Sequence, residues 1–101
     1  MTVSALQSKD DAELWARYAA THGPELREAL ILRYVPLVHF VLGRLGLSPA
    51  LGPAYEDLAS QGLVGLIEAV DRYDPGYGTQ FSTYATLRVR GQVLDQLRAS
   101  D

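Results

Sequence analysis

Residues 74–80, Asp-Pro-Gly-Tyr-Gly-Thr-Gln, constrain the fold of this chain more than any other stretch, because a proline and two glycines so close together cannot continue a helix. On either side the apolar residues recur with a helical period. One pattern runs from about Tyr55 to Tyr73 and the other from Phe81 to Arg98, each long enough for a helix. Both read as working surfaces.

At 100° per residue, Leu58, Ala59, Gly62, Leu63, Leu66, Ile67, Ala69, Val70 and Tyr73 form an apolar arc of about half the circumference of the first helix. One core-facing side needs only ~100°, so part of the arc is surplus to a core. Opposite it stand Asp57, Gln61, Glu68 and Asp71, with Val64 among them where solvent is expected. An apolar residue ringed by acids reads as a docking face; the other reading is a lone surface valine amid solvated charges. Gly62 and Gly65 speak against a merely solvated helix, since each mid-helix glycine costs ~1 kcal/mol relative to alanine. A close backbone approach is expected there.

The second helix opens on Phe81-Ser-Thr-Tyr84. Phe81 and Tyr84 border a polar sector of Arg88, Gln92 and Asp95, while Ala85, Val89, Val93 and Leu97 form the core row at i+4 spacing. Aromatic rings beside arginine and amide groups suit unpaired bases, which need a π face, a cation for phosphate and donors for base edges. The same residues would also serve as core and ordinary surface charge. Arg90 falls between Leu94 and Leu97, so it must snorkel, pair with an acid or reach a phosphate.

In order, the motifs are DLxxxGxxGLxxAVDRYDP, a short Gly-containing turn, FSTYA, and RVRGQVLDQLR, with LREALILRYVPLVHFVLGRL upstream at residues 26–45. Together they resemble domain two of the bacterial RNA polymerase sigma factors, and the resemblance covers about three quarters of the chain. Arg88-Val-Arg-Gly91 followed by Leu94-Asp-Gln-Leu-Arg98 resembles the flagellar and sporulation branch, the FliA and WhiG kind. Housekeeping factors carry a Trp pair where this chain has Leu87 and Arg88.

Composition is consistent with that likeness. At 101 residues and 48% hydrophobic content, the chain reads as one domain with a modest core. It has no cysteine, which excludes disulfides and thiolate metal sites and fits a reducing cytoplasm. The start, MTVSALQSKDDAEL, is not read as a signal peptide, and no stretch approaches the ~18 apolar residues of a membrane span. A net charge of −3 argues against a generic or stand-alone helix-turn-helix DNA binder. Residues 81–98, however, hold Arg88, Arg90 and Arg98 against Asp95 alone. So weak a basic patch implies DNA binding with help from a larger partner.

Residues 1–9 are expected to be a flexible N-terminus, and 10–101 the sigma-like domain. Asp10 to Thr21 read as a short amphipathic helix with acids in its first turn and Trp15, Tyr18 and Ala19 on one side. Trp15 reads as a core anchor, with a partner contact as the other reading. Pro24 starts a long helix reaching about Leu45, whose Leu26, Leu30, Ile31, Tyr34, Val38, Val41, Leu42 and Leu45 make it the spine of the core. A kink or short break near residues 32–36 is expected from Pro36. His39 is assigned no chemistry, and residues 47–54 read as a turn or one short helical step. The fold is therefore all-α, a compact bundle of three main helices plus one short N-terminal helix.

No nucleophile-base pair, HExxH, phosphate loop or acid pair in a plausible pocket is legible, so no catalytic residue, metal or cofactor is assigned. The resemblance supplies the roles. It implies that the first helix docks on the clamp helices of the largest subunit of core RNA polymerase through Asp57, Ser60, Gln61, Leu63, Val64 and Ile67. Thr79 through Arg90 match the melting segment, which captures a flipped base of the promoter −10 element on the non-template strand. Phe81, Thr83 and Tyr84 would supply stacking and a pocket wall, offsetting the few kcal/mol that flipping costs. Arg88 and Arg90 would hold the non-template backbone; Gly91, Gln92, Asp95 and Arg98 would line the edge of the duplex. The missing Trp pair implies weaker melting and a stringent promoter, so tryptophan at positions 87 and 88 should loosen promoter choice. An anti-sigma protein, in the WhiG-like branch one that carries cyclic di-GMP, is a further implied partner; a module whose main role is to be bound by such a regulator is the alternative reading. The end of the chain just after the second helix implies an excised or naturally shortened domain without the later sigma domains.

Overall fold

The structure, a computed structural model, describes residues 9–99; of the expected flexible N-terminus at 1–9, residues 1–8 lie outside the described residues and Lys9 opens the first helix. The order is α1 (Lys9–Thr21), α2 (Pro24–Arg44), a 3-10 turn (Pro49–Leu51), α3 (Pro53–Arg72), a second 3-10 turn (Pro75–Tyr77) and α4 (Phe81–Ala99). No strand occurs among the described residues. Pro24 and Pro53 sit in the first turns of α2 and α3, where a missing N–H costs nothing, with Glu25 and Glu56 beside the helix N-termini.

Leu30, Tyr34, Leu37, Val38, Val41 and Leu42 of α2 pack against Leu58, Leu66, Ala69 and Val70 of α3 and Phe81, Ala85, Val89 and Val93 of α4. The row Ala85, Val89, Val93 is buried as its spacing requires, but Leu97 is exposed, because α4 outruns the bundle at that end. Of the kink or short break expected near residues 32–36, the break does not occur: α2 is continuous from Pro24 to Arg44. Pro36 and Leu32, whose carbonyl loses its ladder partner, both lie on the exposed side of the helix, where water can satisfy that oxygen.

The two α3 glycines explain how three helices come this close. A Cβ on Gly62 would stand 2.7 Å from Val38 Cγ1, and one on Gly65 would stand 2.7 Å from the Arg88 carbonyl oxygen and 2.9 Å from Val89 Cα. Backbone therefore lies against backbone where α3 crosses α4.

α1 is attached by Trp15, whose ring meets Tyr73 edge-on at 4.9 Å and Phe81 at 4.7 Å, so it is a core anchor rather than a partner contact. Asp11, an ordinary first-turn acid by sequence, is fully buried. Its carboxylate accepts from the Tyr34 hydroxyl at 2.9 Å and from the Arg33 guanidinium, which supplies the pairing that a buried charge requires.

Candidate polymerase and nucleic-acid interfaces

On α3, Asp57, Gln61 and Val64 recur at i, i+4, i+7 and so share one stripe, with Ser60, Leu63 and Ile67 at its edges. Asp57, Ser60 and Val64 are exposed; Gln61, Leu63 and Ile67 are half-buried. Val64, at 42% exposure, is an apolar residue facing solvent beside a carboxylate and an amide. The Ser60 hydroxyl donates back to the Glu56 carbonyl at 3.0 Å, which turns it along the helix. Leu63, Ala59 and Ser60 also wall a cleft of about 210 Å³ shared with Val35, Val38 and His39 of α2. The His39 ring stacks on Tyr55 and its Nδ1 lies 2.8 Å from the Tyr55 hydroxyl, a bond that ties α2 to α3.

Further along α3 the outer charges are not simply solvated. Asp71 accepts two hydrogen bonds from Arg27, at 2.7 and 3.0 Å, and these hold its carboxyl below the usual carboxylate range. Glu68 accepts from Arg88 at 2.6 Å and from Gln92 at 3.3 Å. Two residues expected to meet nucleic acid, Arg88 and Gln92, are therefore already engaged by the acid that α3 presents to α4.

The turn between α3 and α4 is held by its own side chains. Asp74 accepts from the Gly76 N–H at 2.8 Å, Gly78 takes the left-handed φ of 78° that other residues avoid, and the Tyr73 hydroxyl donates to the Thr79 carbonyl at 2.5 Å. The end of α3 is thereby brought beside the start of α4. Between them opens a cleft of about 200 Å³ lined by Arg72, Tyr73, Asp74, Thr79 and Tyr84. Tyr84 is half-buried and its ring lies 6.0 Å from Tyr73. Aromatic faces with a guanidinium, a carboxylate and a hydroxyl at the rim can take one unpaired base, stacked on a ring and bonded at its edge. Burial, with Asp74 adding to it, pushes the Tyr73 phenol up, so it stays a neutral donor.

Phe81, expected to stack on a base, does not face solvent. Its ring is wholly buried, 4.5 Å from Tyr34 and 5.2 Å from Tyr73, and offers no face to a base. It supports the cleft from beneath, because an aromatic at the first turn of α4 fills the space left where α1 and α3 converge. Thr83 is exposed, outside the lining of the cleft. Arg72, Tyr73 and Asp74 line this cleft although the sequence reading does not single them out; the signal for them is their adjacency to a turn too short to separate the two helices. Gly91 and Arg90 are exposed, and Asp95 and Arg98 form a pair at 3.5 Å with both side chains largely in water, worth little to stability. Leu87 stands out at 65% exposure.

Among the described residues no cluster of metal-ligating side chains occurs, and no helix is long and apolar enough to cross a membrane.

Residues 30–101 match the family model described as Sigma-70 region 2. The RNA polymerase sigma-D factor of Bacillus subtilis is 36% identical over 92 residues, 91% of this chain and 36% of that protein. The RNA polymerase sigma factor FliA of Pseudomonas aeruginosa is 42% identical over 88 residues, 83% of this chain and 34% of that protein. FliA of Escherichia coli K12 is 44% identical over 75 residues, 74% of this chain and 31% of that protein. The chain spans about a third of the length of these curated relatives.

Proposed function

The chain belongs to the Sigma-70 region 2 family, and we propose that it docks on core RNA polymerase through the outer stripe of α3 and captures an unpaired base of the promoter −10 element beside Tyr84. One observation carries the reading: a single short turn joins α3, which bears a partly apolar, solvent-facing stripe, to a base-sized aromatic cleft at the start of α4. Docking and capture would then be borne by one rigid helix pair. The work is that of a non-enzymatic initiation factor, carried out in the cytoplasm, with promoter DNA and the clamp helices of the largest polymerase subunit as partners.

On the docking side the contributors are Asp57, Ser60, Gln61, Leu63, Val64 and Ile67. On the DNA side Tyr84 supplies the stacking face, Thr79 and Arg72 the polar rim, and Arg90 a backbone contact. Arg88 and Gln92 serve DNA only by exchanging Glu68 for it. Gly91 leaves the surface open for close approach, with Asp95 and Arg98 at the far edge. An anti-sigma regulator would act by covering the α3 stripe in competition with polymerase. A module kept only for such a regulator would have no use for a base-sized cleft, and no feature of the described residues supports a role for cyclic di-GMP.

The test is binding to core RNA polymerase, wild type beside Val64→Asp and Asp57→Lys. Wild type should bind and both variants should lose at least tenfold in affinity while keeping their helical circular dichroism. Folded wild-type protein that ignores core polymerase would sink the reading.

A further inference from the structure

We propose that the cleft between the C-terminal end of α2 and the middle of α4 holds the sugar-phosphate backbone of promoter DNA, with Arg44 and Arg90 each on a phosphate. The inference rests on the promoter-binding reading above and extends the DNA track onto a helix to which no DNA contact has been assigned.

The cleft, about 270 Å³, is lined by Phe40, Val41, Arg44, Leu45, Thr86 and Arg90. Its two cations are both exposed, and among the described residues neither stands in any of the ion pairs, which join Arg27 to Asp71, Arg33 to Asp11, Arg88 to Glu68 and Arg98 to Asp95. No acid lines the cleft. In a chain of net charge −3, two uncompensated guanidinium groups over one depression are a local reversal of sign and a match for an anion.

Arg44, in the last turn of α2, offsets the partial negative charge of that helix end. Arg90 stands in the middle of α4 and has no such duty. It lies two positions from Arg88, hence 200° round the helix, so Arg88 turns to α3 and Glu68 while Arg90 turns to α2. The floor beneath the cations is apolar, as the face of a deoxyribose requires. Thr86, whose hydroxyl donates to the Ser82 carbonyl at 2.6 Å, closes one wall.

Size and position favour a passing strand over a small molecule. The volume falls below the ~300–1,000 Å³ of small-molecule pockets. Arg90 lies six positions after Tyr84 on α4, about 9 Å along the axis, while DNA advances 3.4 Å per nucleotide. The cleft thus lies about 9 Å from the proposed base site along the axis of the same helix and about 120° round it, so that a strand reaching both passes over α4.

The experiment measures affinity of the complex between this chain and core RNA polymerase for forked −10 DNA, by fluorescence anisotropy, from about 50 to 200 mM salt. Arg44→Gln and Arg90→Gln should each weaken binding severalfold and reduce the log-log salt slope by about 0.7–0.9, the value of one phosphate contact. Affinity for core polymerase should not change. Arg17→Gln, an exposed arginine of α1, should leave the slope as in wild type. Unchanged slopes in both cleft variants, with wild type binding DNA normally, would overturn the cleft alone. Loss of core affinity instead would overturn it too, by assigning the cleft to an acidic segment of the polymerase. Wild type that binds core but not forked DNA would remove the promoter reading and the cleft together.

Discussion

Where α3 crosses α4, the contact is one of shape: Gly65 lets the Arg88 carbonyl and Val89 Cα approach to distances that no side chain would permit. Where α1 meets α2, the contact is one of charge: the buried Asp11 carboxylate is held by Tyr34 and Arg33. The first seam is intolerant of an added atom, the second of a lost partner. Both proposed working surfaces lie on or beside the first seam, so its rigidity sets the geometry of docking and base capture, whereas the second only attaches a helix to the bundle.

The sharpest way to break the contrast is Gly65→Val. It forces side-chain carbons into the backbone of α4 and should cost about 3 kcal/mol, read as a lowered urea midpoint. A midpoint within error of wild type would mean that the seam relaxes and is not held by shape. Next is Asp11→Ala, which takes the buried acceptor from the Tyr34 hydroxyl and one partner from Arg33, whose side chain is 42% exposed; a cost of about 2 kcal/mol is expected. Because Trp15 is the sole tryptophan, its fluorescence reports on α1. It should change in this variant at denaturant concentrations where the far-ultraviolet helix signal still persists. Coincident loss of both signals would make the two seams one cooperative unit.

Glu68→Gln probes the polar edge of the first seam. Arg88 and Glu68 are each about one-third exposed, so stability should fall by about 0.5 kcal/mol or less. DNA affinity of the polymerase-bound chain should rise severalfold, because Arg88 no longer has to leave a carboxylate. Weaker DNA binding would show instead that Glu68 positions Arg88 for its contact.

The smallest effect is that of pH on the Arg27–Asp71 bridge. Its folded carboxyl lies below the ordinary 3.8, so its contribution is present above about pH 4 and is lost as pH falls through the folded value. With both side chains about 40% exposed, Asp71→Asn should cost a few tenths of a kcal/mol at pH 6. In strong acid it should match wild type. A difference that persists there would mean that the side chain acts by packing and not by charge.

The four helices were legible because their signals are local. Proline at the first turns of α2 and α3, the helical period of Leu30, Tyr34, Val38 and Val41, and the Asp-Pro-Gly break each act within a few residues. The cost of Gly62 and Gly65 also announced a close approach, though not what approached. Phe81 misled because a wheel ranks residues round one helix only: placed beside a polar sector, the ring is in fact covered by Trp15 of α1 and Tyr34 of α2. The break expected at Pro36 is absent for the same kind of reason, since the cost of a missing bond depends on whether water reaches the stranded carbonyl.

By itself the sequence determined the all-α class, the helix boundaries to within a few residues, the exposed Val64 stripe and, through motif order, the family. Tertiary structure alone decided the partners: Glu68 on Arg88, Asp11 beneath Arg33 and Tyr34, Arg72 and Tyr73 against Tyr84, and Arg44 across from Arg90. A helical period follows from rotation about one axis, which neighbours in the chain specify. Pairing of charges and rings between axes depends on how several helices settle against one another, and no single segment encodes that.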